Sequence, residues 1–298
     1  PASPFPMLPV SGAIESGNNS GASSPFNSTP ASSPLPQTRR FPAASISYGP
    51  RMESLYVQVI EHMSGKPGLF VRWSDGAVAT IGKDCGRLVG WQDRQGHELL
   101  SAPVDGCFYR APTDNDRGGM IMSYCTQWKE VGLDRMVRRS QKNAVTSQRR
   151  LADGSIEVVT NWVWDSPKDA KIHIRIAARG CYTFNTTGSI DVDFSAEASS
   201  NTPPLARCGL RWAMPAEYGE VKYFGLGPHE AYDDRKACAY LGVFETNVQD
   251  LHTHYTVPQE CGRRADPRWI IFKRQGSYSG LAAVPLAEQH PQLGGAVQ

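Results

Sequence analysis

Residues 108–119, FYRAPTDNDRGG, concentrate side chains that can do chemistry. Arg110 precedes Asp114, Asn115 and Asp116, and the stretch closes on Gly118 and Gly119. An aspartate beside an arginine stays ionised and accepts paired hydrogen bonds from the guanidinium. Pro112 fixes its own φ and pushes Ala111 into an extended conformation, and the Asx residues after it can bond nearby backbone amides. The same acceptors suit sugar hydroxyls. The stretch is therefore either a solvated turn or a polar loop that helps hold a polyhydroxylated ligand.

Two further stretches carry more polar chemistry than turns need. In residues 223–235, YFGLGPHEAYDDR, the Gly225, Gly227 and Pro228 positions read as a tight turn after a strand. His229 and Glu230 then meet Tyr232, Asp233, Asp234 and Arg235. In residues 254–269, HYTVPQECGRRADPRW, the side chains of Gln259, Glu260, Arg264, Asp266, Arg268 and Trp269 can build an ion-pair network under a loop. The competing reading of all three is structural, since an exposed pair contributes only about 0–1 kcal/mol and serves mainly to shape a loop.

No GxSxG, GxxxxGK[ST] or HExxH motif occurs. Retaining glycosidases need two carboxyls about 5–5.5 Å apart, one on each side of the scissile bond. If the first stretch is extended, Asp114 and Asp116 lie on one side of it, with roughly 6–7 Å between their α-carbons, and nothing opposes them. His62, His173 and His290 stand alone, and His252 and His254 fit alternate strand positions without a third metal ligand.

The elements that must position these residues are strands. Residues 1–50 are dominated by Pro, Ser, Ala and Gly and read as a disordered arm, with sequons at Asn18 and Asn27. From about Met52 the texture alternates. Leu55, Val57 and Val59 mark one strand, and Asp75-Gly76 marks a hairpin turn, with a second turn at Gln95-Gly96. Ile172, Ile174 and Ile176 point to one face of another strand, and GSIDVDFSAEAS and LARCGLRWAMP continue the pattern. One helix is expected near residues 123–136, where Trp128, Val131 and Leu133 are apolar and Gly132 weakens the run. Many short strands and almost no helix mean a sandwich of antiparallel sheets over residues 51–285, with an unstructured tail at 286–298.

Composition narrows the function classes. The 298 residues hold 31 basic and 29 acidic side chains, a net charge of +2, with no basic stripe that would suit nucleic acid. The seven cysteines are scattered without a CxxC pair, which suits free thiols in a reducing, cytoplasmic setting rather than a disulfide framework. No run of about 18 apolar residues is present to span a membrane.

FYRAPTDNDRG, GLGPHEAYDDR and YTVPQECGRRADPRW, in this order, resemble the carboxyl-terminal domain of LacZ-type β-galactosidases of glycoside hydrolase family two. The same unit forms the small chain of heterodimeric β-galactosidases, and the resemblance covers roughly residues 55–284. It implies a large antiparallel β-supersandwich similar to galactose mutarotase. It also implies that the catalytic glutamates lie on a separate (β/α)8 barrel, which hydrolyses β-galactosides such as lactose with retention.

The implied substrate-site loop begins at Gly118 and runs through Gly119, Met120 and Ile121, with Arg110, Asp114, Asn115 and Asp116 at its root. Gly227, His229, Glu230, Arg235, Gln259, Glu260, Arg264 and Trp269 are the implied structural motif. No catalytic residue, metal or cofactor is expected on this chain, while the resemblance implies Mg2+ and Na+ or K+ in the full enzyme, which would be a homo-oligomer. Two departures stand out. Cys261 replaces the family's usual Asn, and a Gly-Gly-Asp-Asp-Ser-Trp stretch that carries a sugar-stacking Trp is missing after Pro285. The expectation is a fragment of a larger enzyme, inactive alone. Stand-alone carbohydrate-binding or mutarotase-like modules and purely structural assembly domains are the alternatives.

Overall fold

Period-two alternation is what the backbone realises. The computed structural model describes residues 55–60, 68–118, 123–277 and 279–286, together with the backbone of 38–40 and 44–47. In chain order the strands are β1 (Thr38–Arg40), β2 (Ala44–Ser47), β3 (Val57–Ile60), β4 (Leu69–Trp73), β5 (Val78–Ile81), β6 (Leu88–Gln92) and β7 (Ala102–Cys107). Helices α1 (Asp114–Arg117) and α2 (Tyr124–Val131) follow. Then come β8 (Val137–Arg138), β9 (Val145–Arg150), β10 (Ile156–Asp165), β11 (Arg175–Phe184) and β12 (Ser189–Ala198). The last strands are β13 (Gly209–Ala213), β14 (Glu220–Gly227), β15 (Tyr240–Asn247), β16 (Trp269–Lys273) and β17 (Gly280–Pro285).

An 11-stranded antiparallel sheet runs β15-β14-β16-β17-β2-β12-β11-β10-β8, with β1 also on β12 and β9 also on β10. A four-stranded sheet, β3-β4-β5-β6, packs over its β10–β12 end, and β7 pairs with β13. The alternation explains the packing. Ile156, Val158, Trp162 and Trp164 on β10 point inward, as do Ile190, Val192 and Phe194 on β12. They meet Trp73, Ile81 and Leu88 of the smaller sheet in one cluster. The rings of Trp73 and Phe184 lie 5.9 Å apart. Trp162 donates its indole N–H to the Gly86 carbonyl at 3.1 Å, so burial leaves its polar atom satisfied. Each such aromatic or aliphatic side chain stabilises the fold by about 1.5–3 kcal/mol through burial.

Asp93 ties the two sheets. The Ser279 hydroxyl, just before β17, donates to its carboxylate at 2.5 Å, and the Gln95 and His97 amides donate at 2.8 and 2.9 Å. Burial alone would raise its pKa, but these hydrogen bonds and the His97 ring outweigh that and hold the carboxyl below its ordinary value.

The all-β, antiparallel reading is borne out, and helix α2 forms where it is expected. Ser123 caps it, and Gly132 ends it at φ 65°, a conformation that costs a side-chain-bearing residue energy. Several local expectations fail. Residues 38–40 and 44–47 are strands of the large sheet, so residue 50 is too late a boundary for the arm. The short Ser- and Arg-rich segments have little apolar signal of their own, and pairing with β12 and β17 makes them strands. The rest of that arm, His62, and the tail from 287 onward lie outside the described residues. Ile172 precedes β11 and is 40% exposed, whereas Ile174 and Ile176 are buried; its amide bonds the Glu130 carbonyl, which turns the chain before the strand starts.

Candidate functional site

The first polar stretch is a helical turn rather than an extended loop. Thr113 caps α1: its hydroxyl accepts from the Asp116 amide at 3.3 Å, while the Asp116 carboxylate accepts from the Thr113 amide at 2.7 Å. This is a capping box, which satisfies two donors at once. The Thr113 hydroxyl donates to the same carboxylate at 2.8 Å. Arg110 grips Asp116 with both terminal nitrogens, one bond spanning 3.3 Å.

Burial taken alone would raise the pKa of Asp116. The bonds from Arg110 and Thr113 win, and the carboxyl is held below its ordinary range. Burial likewise pulls on Arg110, but Asp116 and Glu260 hold its guanidinium more firmly charged.

This pair is joined to distant chain. Glu260 lies 3.3 Å from Nε of Arg110 and accepts from Arg207 at 2.7 Å. The Asp114 amide donates to the Pro258 carbonyl at 2.9 Å. The Arg110 guanidinium sits over the Trp128 ring at 5.6 Å, and the Trp128 indole N–H bonds the Pro204 carbonyl at 2.8 Å. Two cations and two carboxylates thus balance in a half-buried knot, and α2 supplies its apolar floor. Asp114, Asn115 and Gly118 are exposed beside it. Gly119 lies outside the described residues.

The second and third stretches knit to each other. Glu230 pairs with Arg235 at 2.9 Å, accepts the Gly262 amide at 2.8 Å, and also bonds the Tyr255 hydroxyl. Arg263 binds Asp233 at 3.2 Å, and Lys236 bridges Asp233 and Asp266. Arg235 and Arg263 lie over the Tyr232 ring at 4.5 and 5.6 Å. Burial pushes the Tyr232 hydroxyl up to about 12. Arg264 is buried and donates to the Tyr223 hydroxyl at 3.0 Å, beneath β14.

His229, Asp234, Gln259 and Arg268 are exposed, and Trp269 is the first residue of β16. Gly225 and Gly227 are not a turn after a strand but part of β14 itself. A Cβ at Gly225 would come within 3.1 Å of the Pro267 backbone, so the strand needs glycine there to let the third stretch lie on it. His252 and His254 follow a short 3-10 turn, not a strand, and their rings meet edge to face at 4.6 Å.

The structure therefore joins the first stretch to the third through Glu260 and Pro258, and the second to the third through Glu230, Asp233 and Asp266. Thr113, Arg207 and Tyr255 escape the sequence reading, which gives Trp128 only as an apolar helix residue and not as the ring under Arg110. Thr113 had a signal, the Thr-x-x-acid spacing of a capping box. Arg207 had none, standing 53 residues from Glu260.

A cavity of about 570 Å3 lies elsewhere, among Leu55, Tyr56, Val57, Arg150, Asp153, Gly154 and Thr186. Its charged groups are already engaged: Arg150 bonds the Gly154 and Val57 carbonyls, and Asp153 accepts from Ser155.

Comparison with known proteins places this arrangement. A family model described as the β-galactosidase small chain matches residues 74–291. A β-galactosidase of Vibrio cholerae serotype O1 is 34% identical over 189 residues, which is 60% of this chain and 17% of that protein. One from Priestia megaterium is 30% identical over 192 residues, 64% of this chain and 17% of its own length. The β-galactosidase BgaC of Bifidobacterium adolescentis is 29% identical over 228 residues, 72% of this chain and 20% of that protein. The chain thus spans a fifth or less of the length of these curated relatives. With the match running through all three knotted stretches and most of the sandwich, the chain belongs to the β-galactosidase small chain family.

Proposed function

We propose that this chain shapes the mouth of a β-galactosidase sugar site whose proton-transferring acids lie on other polypeptide. The observation that carries the reading is the state of Asp116. Its carboxylate, at the centre of the most polar stretch, is held by Arg110 and Thr113, so it anchors rather than reacts. Asp114 and Asp116 are two residues apart on a helical turn, a spacing at which side chains do not face each other. They make no pair for retaining hydrolysis.

On this reading two glutamates of a (β/α)8 barrel, on a large chain or neighbouring domain, hydrolyse terminal β-galactosides such as lactose. The helical turn that ends at Gly118 lies at the edge of the bound sugar. The exposed Asp114 and Asn115 offer acceptors beside it. Arg110, Glu260 and Arg207 keep that turn in one geometry, and the Glu230–Arg235 and Arg264 network braces the segment that carries Glu260. Mg2+ and Na+ or K+ belong to the complete, homo-oligomeric enzyme rather than to this chain. Among the described residues no helix is long and apolar enough to cross a membrane. A second reading, a stand-alone carbohydrate-binding module, rests on the exposed Tyr56 ring at the 570 Å3 cavity, and calorimetry with galactose and lactose tests it.

The proposal is tested by grafting residues 55–286 into a relative in place of the segment they match and assaying a chromogenic β-galactoside. Turnover well above that of the relative lacking the segment is expected. A graft no more active than that truncated relative counts against the proposal.

A further inference from the structure

The outer face of the large sheet, the one turned away from the smaller sheet, is apolar at its β14–β17 end. Cross-strand register puts Phe224 beside Val243 and Trp269, and Leu226 beside Leu241. Ile271 continues the patch next to Ala282. The Phe224 and Trp269 rings are 6.3 Å apart. None of these side chains belongs to either packed cluster of the interior. Leu241 and Val243 are 51% and 55% exposed, and among the described residues no strand pairs with the far edge of β15. At one margin the Lys222–Glu245 ion pair, at 2.6 Å, borders the patch. An aromatic and aliphatic centre with a charged margin is the anatomy of a protein–protein interface, and an apolar edge left bare invites aggregation.

We infer that this face docks the catalytic polypeptide of the enzyme, an occupant with a complementary apolar surface. The inference rests on the reading above and adds to it the place of contact. The argument for this occupant over a second copy is one of concentration. In the curated relatives the matched segment is 17–20% of one polypeptide, so the remainder is tethered to it. Tethering within one polypeptide gives an effective concentration that can reach the order of millimolar, far above that of a second copy in solution.

The test mixes the full chain with a relative's β-galactosidase from which the matched segment has been deleted, and measures association by sedimentation and calorimetry. The paired substitution Leu241→Glu and Val243→Glu weakens association about a hundred-fold or more, because docking would bury two unpaired carboxylates at the most exposed apolar positions of the patch. Ala177→Glu, on the outer face of β11, leaves it unchanged. Unaltered circular dichroism and thermal midpoint confirm that the paired variant folds. As a second measurement that needs no variant, hydrogen exchange of residues 240–247 in the unsubstituted chain slows on complex formation.

If the unsubstituted chain associates and the paired variant associates equally well, the docking face is wrong while the functional reading stands. If residues 240–247 exchange at the same rate in the complex, the same conclusion follows. If the chain self-associates and the paired variant abolishes only that, the occupant is a second copy and the inference is overturned. If the unsubstituted chain does not associate at all, both the inference and the reading on which it rests fall.

Discussion

The two ends of the large sheet share an apolar inner face but differ on the outside. Over β9–β12 the outer face is charged: Arg149 pairs with Glu157 at 2.7 Å, and Asp165 with Arg175 at 2.7 Å. Over β14–β17 the outer face carries Phe224, Leu226, Leu241, Val243 and Trp269 instead. The strands are built alike, so pairing does not explain the difference. It separates a charged surface that suits water from an apolar one of the kind that suits a protein partner. A third environment, the half-buried Arg110–Asp116 knot, uses the same kind of ion pair as the charged face but in a setting where removal has consequences.

Trp162→Ala empties the core beneath the charged face and removes a bonded indole. It costs about 3–5 kcal/mol of unfolding free energy in denaturant titration. Asp116→Ala strands the half-buried Arg110, and a loss of about 3 kcal/mol is expected in the same titration, the low end for a broken buried pair. The pH dependence gives an independent check. The folded pKa of Asp116 lies below its ordinary 3.8, so its contribution is complete above about pH 5 and is lost as pH falls through the lowered value. The unsubstituted chain therefore loses more stability on acidification than the variant does, and parallel curves would remove the anchoring role.

Asp165→Asn breaks two pairs whose arginines are exposed, and the loss is at most about 1 kcal/mol, shrinking further in salt. Val243→Ala on the apolar outer face falls within about 0.5 kcal/mol of the parent. A large cost there would mean that Val243 is already packed within this chain, and the contrast between the two ends would fail.

Much of this was readable from sequence because the strands that matter most alternate strongly. β10 places Ile156, Val158, Trp162 and Trp164 on alternate positions, broken only by Thr160, β12 does the same with Ile190, Val192 and Phe194, and Asp75-Gly76 makes its hairpin with Gly76 at φ 101°. β9, Val145–Arg150, was not readable. Five of its six residues are exposed, and its strand character comes from pairing with β10 rather than from pattern. The polar stretches were visible as composition, yet their wiring was not. An ion pair such as Arg207–Glu260 joins segments that only the tertiary fold brings together, and no local spacing encodes it. Gly225 and Gly227 suggested a turn because glycine serves two purposes: conformational freedom in turns and close approach in strands. Here close approach is the reason.

The central claim is that this chain shapes a β-galactosidase site without supplying its acids. It is tested most directly by assaying one chromogenic β-galactoside with the purified chain, alone and with the segment-deleted relative, both made in a host without its own β-galactosidase. The account predicts no turnover by the chain alone and turnover when the two are combined. Cleavage by the chain alone, abolished by a substitution within the chain, would contradict it.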